Sequence, residues 1–188
     1  MNRRELLKLI TAATGTAMIG STGVIAGCAS KEEAAPSLSF TEQDVFLLDE
    51  VAETILPRTD TPGAKDAEVG QFMTVFVRDC YTEAEQAIFH SGMDQLNAAA
   101  NEQYGRDFMN LSGEQRTEFI RALDAEAKAV AAAGTTPPHY FTMMKQLTLF
   151  GFFTSEVGAT QVLRYIAIPG RYDGCMPYEE GDRAWATT

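Results

Sequence analysis

The chain has 188 residues, of which 45% are apolar and 22% charged, with a formal net charge of −11. So acidic a surface repels the phosphates of nucleic acids, and we expect no nucleic-acid binding. The length is enough for one domain with a real hydrophobic core.

The N-terminal segment has the pattern of an export signal. Arg3, Arg4 and Lys8 precede a weakly apolar run that ends at Gly27. This arrangement predicts a cleavable signal peptide over residues 1–27. The paired arginines, followed by Glu-Leu-Leu and Lys8, resemble the twin-arginine export motif. An ordinary secretory signal that carries two arginines is the alternative.

The signal ends in a sequence that resembles a bacterial lipobox. Residues 25–28 are Ile-Ala-Gly-Cys, in which Cys28 would be lipidated and become the first residue of the mature protein. A small-residue cleavage site with an incidental cysteine is the alternative. Residues 28–39 are polar and predict a tether, so we expect a periplasmic lipoprotein anchored to the membrane by acyl chains. Cleavage changes 15 Lys+Arg to 12 and 26 Asp+Glu to 25, which gives a formal charge of −13.

Helix signals divide residues 40–188 into an all-α domain of five or six helices with an irregular C-terminal tail. Capping patterns at Thr41, Thr82 and Ser112 predict three helix starts, and Gly105 predicts a helix end. The second helix should bury one face that includes Cys80. A strongly apolar helix runs through Phe141 and Phe150, and a further one should extend from Thr154 or Ser155 to Tyr165.

No motif for catalysis or cofactor binding stands out. The sequence has no Gly-x-Gly-x-x-Gly after a strand and no Cys-x-x-Cys-His, and its two histidines, His90 and His139, are far apart. We therefore expect no catalytic, cofactor-binding or metal-ligating residue in this chain. A different possibility is a free-standing lipoprotein that binds a small ligand between helical faces rich in Met and Phe: Phe72, Met73, Phe76, Phe141, Met144 and Phe150.

Three stretches are distinctive: ILPRTDTPGA (55–64), LTLFGFFTSEVGATQVLRY (147–165) and PGRYDGCMPYEEGDRAWAT (169–187). Together with the export signal, they resemble the gluconate 2-dehydrogenase subunit 3 family, from about Phe40 to Ala186. The resemblance implies a periplasmic accessory subunit without a catalytic centre of its own. Its implied partners are a large FAD-dependent oxidoreductase of the glucose–methanol–choline class and, in some complexes, a multihaem cytochrome c. FAD and haem c would then be bound by those partners.

Two regions are candidates for a partner interface. Asp60 lies in the segment Thr-Asp-Thr-Pro-Gly, which is a sound turn by itself and also a candidate partner contact. The tail contains residue types that are enriched at the centres of interfaces. Contact with a partner and packing of the tail on its own domain are both open for these residues: Arg171, Tyr172, Asp173, Tyr178, Arg183 and Trp185.

The cysteines left after lipidation of Cys28 are Cys80 and Cys175. An even number in an oxidising compartment predicts a disulfide between them, which would clamp the tail onto the second helix. Two alternatives stay open: a bridge from Cys175 to a partner subunit, and two free thiols.

Overall fold

Five α-helices form the fold of the computed structural model, which describes residues 39–168, 170–171 and 173–186. The predicted signal peptide, with Arg3, Arg4 and Lys8, and the predicted lipidation site Cys28 lie outside the described residues. In chain order the helices are α1 (Glu42–Ile55), α2 (Val69–Cys80), α3 (Glu83–Tyr104), α4 (Gly113–Ala132) and α5 (Tyr140–Thr154). No strand occurs in the described ranges, and the predicted all-α class is confirmed.

The predicted helix starts are confirmed. Thr41, Thr82 and Ser112 each accept a hydrogen bond from the backbone N–H three residues later, and the side chain at that position bonds back to the cap. This reciprocal bonding satisfies donors that the first turn of a helix leaves unpaired. Gly105 ends α3 in the left-handed conformation, with φ of 69°, as glycine does at helix ends.

The helix predicted from Thr154 or Ser155 to Tyr165 is wrong in its extent. Ser155 is extended (φ −71°, ψ 160°) and ends α5. Only a short π-helical turn, Gly158–Val162, follows. The chain folds back so closely that a Cβ on Gly158 would lie 2.0 Å from the carbonyl oxygen of Phe152. After Val162 the backbone is extended and pairs with the tail, which takes the hydrogen bonds that a longer helix would have used.

Helix α5 occupies the centre of the fold, where it contacts each of the other four helices. Thr148, fully buried on this helix, donates its hydroxyl to the carbonyl of Met144 at 2.8 Å, so no polar atom of the side chain is left unsatisfied. The core therefore forms around one helix that is apolar on most of its surface. Its buried residues are Tyr140, Phe141, Met143, Met144, Leu147, Thr148, Gly151 and Phe152.

Helix α3 approaches the start of α5 through Gly92. A Cβ on this residue would lie 2.5 Å from Cβ of Tyr140, which is closer than two carbon atoms can come. Tyr140 is itself buried, with 6% of its surface exposed, so it has little room to move away. The contact between the two helices at this point therefore requires glycine.

We expect Gly92→Ala to destabilise the domain by about 1–3 kcal/mol, because the added methyl group forces the two helices apart. Urea unfolding followed by circular dichroism measures this as a lower midpoint. Gly113→Ala is the matched control, since a Cβ there meets nothing within 4 Å. A midpoint for Gly92→Ala equal to that of the control would contradict the close approach.

Candidate functional site

The loop between α1 and α2 is fastened to α1 by one carboxylate. Glu53 accepts hydrogen bonds from the backbone N–H of Arg58 at 2.8 Å and of Lys65 at 2.9 Å. Within the loop, the Thr59 N–H donates to the Thr61 carbonyl at 3.0 Å. Gly63 is required beneath the turn, since a Cβ there would lie 2.5 Å from the backbone nitrogen of Arg58. Asp60 is exposed at the tip of this fastened turn.

The C-terminal tail returns to the end of the π-helical turn and closes there. Arg164 donates its N–H to the carbonyl of Ala184 and accepts from the N–H of Ala186, both at 2.8 Å. The Arg164 guanidinium lies over the ring of Trp185, 4.7 Å from its centroid. Nε of Arg164 also donates to the carbonyl of Arg183 at 2.6 Å. We call Arg164, Arg183 and Trp185 the clasp.

Two of the six tail residues expected at an interface are thus used inside the domain. Arg183 donates from Nη1 to the carbonyl of Gln161 at 2.9 Å, and Trp185 stacks on Arg164. For these two residues, packing of the tail on its own domain is what the structure shows. A contact of their remaining exposed surface with a partner stays a prediction.

The other tail residues lie on the loop that the clasp closes. Tyr178 is 73% exposed, and Arg171 and Asp173 approach each other, with Nη2 and Oδ2 3.9 Å apart. Tyr172 lies outside the described residues. The loop also exposes Ile168, at 84%. The tail therefore presents both polar and large apolar side chains to its surroundings.

Trp185→Ala should release the tail while leaving the helices folded, because the ring contacts Arg164 at the edge of the domain. We expect faster trypsin cleavage at Arg171 and Arg183, with an unchanged helical signal in circular dichroism. Tyr178→Ala is the control, since that side chain is exposed and lies outside the clasp. Equal cleavage rates for the two variants would show that the clasp does not hold the tail.

Cys80 and Cys175 are both free and exposed, and the expected disulfide is not formed in the structure. The prediction that Cys80 faces the core is wrong. The buried stripe of α2 runs through Val69, Met73 and Val77. Its next position is taken by the half-buried Tyr81, whose ring contacts Phe76 at 5.7 Å. Cys80, the last residue of the helix, therefore faces solvent. A bridge from Cys175 to a partner subunit stays a prediction.

A cleft of about 580 Å³ opens between α1, α4 and α5. Several of its charged side chains form ion pairs. Arg116 pairs with Glu50, which also pairs with Lys65. Lys145 pairs with Asp124 at 2.6 Å. Hydrogen bonds from the ammonium groups of Lys128 and Lys145 lower the pKa of Asp124. Four of the charged side chains that line the cleft, Glu50, Arg116, Asp124 and Lys145, are therefore already paired.

The side chains proposed for a small-ligand pocket do not line a common cavity wall of this cleft. Met73, Phe141 and Met144 are at most 1% exposed and pack in the core. Phe141 alone of the six borders the cleft. Close packing of Met73, Phe141 and Met144 with their neighbours explains why these three positions are apolar.

The two histidines have structural contacts. Nδ1 of His139 accepts a hydrogen bond from the N–H of Phe141 at 3.2 Å and caps α5. His90 stacks on Phe40, with ring centroids 4.2 Å apart. Over the described ranges, no group of three or more His, Cys, Asp or Glu side chains is placed to hold a metal ion.

A surface of exposed aromatic residues lies where α2 and α5 meet. Phe150 is 49% exposed, and its ring centroid lies 5.8 Å from that of Phe72 and 5.6 Å from that of Phe76. Gly151 permits this approach, since a Cβ there would lie 2.5 Å from the Phe72 ring. We call this surface the aromatic face and define it by five residues: Phe72, Val75, Phe76, Phe150 and Phe153.

Sequence reasoning missed the aromatic face as a surface, because it assigned Phe72, Phe76 and Phe150 to the core or to a pocket. The signal that identifies it is the distribution of charge. Residues 69–77 contain no charged residue, and residues 146–170 contain only Glu156 and Arg164, in a chain that is 22% charged. Such a gap exceeds what burial alone requires, since several of these side chains are exposed.

The distinctive features of the described residues are surfaces, namely a fastened turn, a clasped tail and an aromatic face. They define a small all-α protein with several distinctive surfaces. The model of the family described as gluconate 2-dehydrogenase subunit 3 matches residues 42–170, and the chain belongs to that family. No curated protein and no solved structure shows a significant match to the chain.

The matched segment bears on the predicted residues in different ways. It includes all five helices and the loop with Asp60. It ends at Gly170, whereas the resemblance had been expected to continue to Ala186. The tail with Cys175, Tyr178 and Trp185 therefore lies beyond the matched segment. Among the described helices, none is long and apolar enough to cross a membrane.

Proposed function

We propose that this protein is a non-catalytic small subunit of a periplasmic, membrane-associated, FAD-dependent dehydrogenase of the gluconate type. The observation that carries the proposal is its membership of a family named as subunit 3 of gluconate 2-dehydrogenase. A family named as a numbered subunit implies that its members have at least one partner subunit. We infer that this chain helps the large FAD subunit to be exported, to remain stable and to assemble.

The family resemblance implies how the roles are divided among the subunits. Oxidation of a sugar or sugar acid would take place on the large subunit, a flavoprotein of the glucose–methanol–choline class, which would also set the substrate. In some complexes a multihaem cytochrome c would accept the electrons. The small subunit would contribute no cofactor, and the paired charges of its cleft support that assignment.

Export and anchoring would come from the N-terminal segment. The twin-arginine route transports folded proteins, so one signal over residues 1–27 can bring along a cofactor-loaded partner that has none. Lipidation of Cys28 would then hold the complex at the membrane. Residues 28–39 would act as the tether between the lipid and the helical domain.

Purification of the tagged full chain from membranes of its host tests the proposal. We expect a flavoprotein to co-purify in fixed ratio, with a flavin spectrum and dye-linked oxidation of gluconate or a related sugar. The chain expressed alone should be colourless and inactive. The proposal fails if the chain alone carries a stoichiometric chromophore, or if no flavoprotein accompanies it under conditions that keep membrane complexes intact.

The export hypothesis gives a separate prediction. Replacing Arg3 and Arg4 with lysine should leave both the chain and its flavoprotein partner in the cytoplasm, because the twin-arginine machinery needs the paired guanidinium groups. Cell fractionation with immunoblotting measures this. Arg106→Lys combined with Arg121→Lys is the matched control, since both arginines are exposed on the helical domain. Normal delivery of the signal variant would instead indicate an ordinary secretory signal.

A further inference from the structure

We propose that the aromatic face is the surface on which the large flavin-containing subunit docks. This inference rests on the proposed function, since it names the place where the partner of that function binds. It commits to one occupant, an uncharged and largely apolar patch on the flavoprotein. Three properties of the domain support this inference: the composition of α5, the placement of charge over the five helices, and the rigidity of the ring cluster.

The composition of α5 is unusual for a helix at the surface of a small domain. A surface helix of a small domain has an apolar stripe toward the core and a polar opposite side, whereas a helix that is apolar all round is buried. Helix α5 has a single charged residue, Lys145, in 15 residues. Its solvent side still exposes Leu149 at 39%, Phe150 at 49% and Phe153 at 37%. The helix therefore has the composition of a buried element and a side that this chain does not bury.

Charged residues are placed differently on α4 and on α2. Helix α4 has seven charged residues among 20, and its exposed side is the ordinary charged surface of a soluble protein. On α2 the only charged residues are Arg78 and Asp79 in the last turn, where they pair at 2.7 Å. The buried centre of a protein interface is depleted in charge and enriched in aromatic residues. The aromatic face has that composition, and it is formed by two packed helices.

The ring cluster of the aromatic face is rigid. The Phe150 ring packs against both Phe72 and Phe76, and those two rings lie 5.6 Å apart. The close approach at Gly151 holds Phe72 against α5. Three interlocked rings lose little side-chain entropy on binding, so more of the burial energy remains for the complex. Phe150 is the most exposed of these three rings, at 49%, and is the candidate for the residue that dominates binding.

The choice of occupant follows from family and charge. The family name implies another subunit, and a face without charge is complementary to an uncharged patch. A membrane surface is less suitable, because amphipathic elements that lie on membranes surround their apolar side with Lys and Arg. Here the nearby Arg78 is paired with Asp79, and the whole chain has a net charge of −11. A second copy of the chain is the remaining alternative, and the experiment separates it.

The test compares two full-length variants in the membrane complex. Phe150→Glu places a charge on the most exposed ring of the cluster, and we expect the flavin recovered with the tagged chain to fall about tenfold or more. Phe46→Glu is the matched control. It makes the same substitution at a more exposed phenylalanine, 62% exposed on α1, and outside the ring cluster. We expect its flavin recovery to equal that of the unmodified chain.

A second measurement tests the inference even if Phe150→Glu fails to fold. Hydrogen exchange of the unmodified complex, compared with the chain alone, should show new protection at 69–77 and 146–156. Residues 113–132 on the charged helix α4 should be unchanged. Protection confined to other segments overturns the inference, whatever the variants do.

The outcomes distinguish the two levels of the proposal. If the unmodified chain brings no flavoprotein, the proposed function and the docking surface both fail. If both variants recover flavin equally well, the aromatic face is not the docking surface, while the proposed function stands. The inference is also overturned if light scattering shows a dimer that Phe150→Glu dissociates. Binding of the chain to vesicles of phosphatidylcholine and phosphatidylglycerol that is lost with Phe150→Glu overturns it as well.

Discussion

The packing of four helices around α5 is the constraint from which the rest of the structure follows. Because α1, α2, α3 and α4 all contact this helix, it has to be apolar over most of its surface. Four helices of these lengths do not enclose a fifth completely, and one side of α5 stays open beside α2. The same composition that makes the core stable thus leaves Leu149, Phe150 and Phe153 at the surface.

The small domain also needs its close contacts. Gly92 brings α3 against Tyr140 at one end of α5, and Gly151 brings Phe72 against its second half. Both glycines lie in helices, where glycine costs about 1 kcal/mol relative to alanine. That cost is offset by the burial that a shorter distance between elements permits. The helices can then be short and the core still continuous.

Local signals made most of the fold predictable from the sequence. A capping box needs only four consecutive residues, so Thr41, Thr82 and Ser112 could be recognised without tertiary information. The tail could not, because Arg164 and Trp185 meet only in the folded domain. The open side of α5 could not either, since periodicity does not tell which side of an all-apolar helix the other helices cover. The family resemblance supplied the expectation of a partner, and the distribution of charge supports the docking place that we propose for it.

The bonding of Glu53 has a consequence for how the loop before α2 can vary. One carboxylate receives the N–H groups of Arg58 and Lys65 on its two oxygens, and these groups belong to opposite ends of the turn. Their separation along the chain is therefore fixed by the width of a single side chain. An insertion or deletion between them would move one N–H out of reach, whereas a change of side chain at the exposed tip would not. In related proteins we expect this loop to keep its length while the residue at position 60 differs.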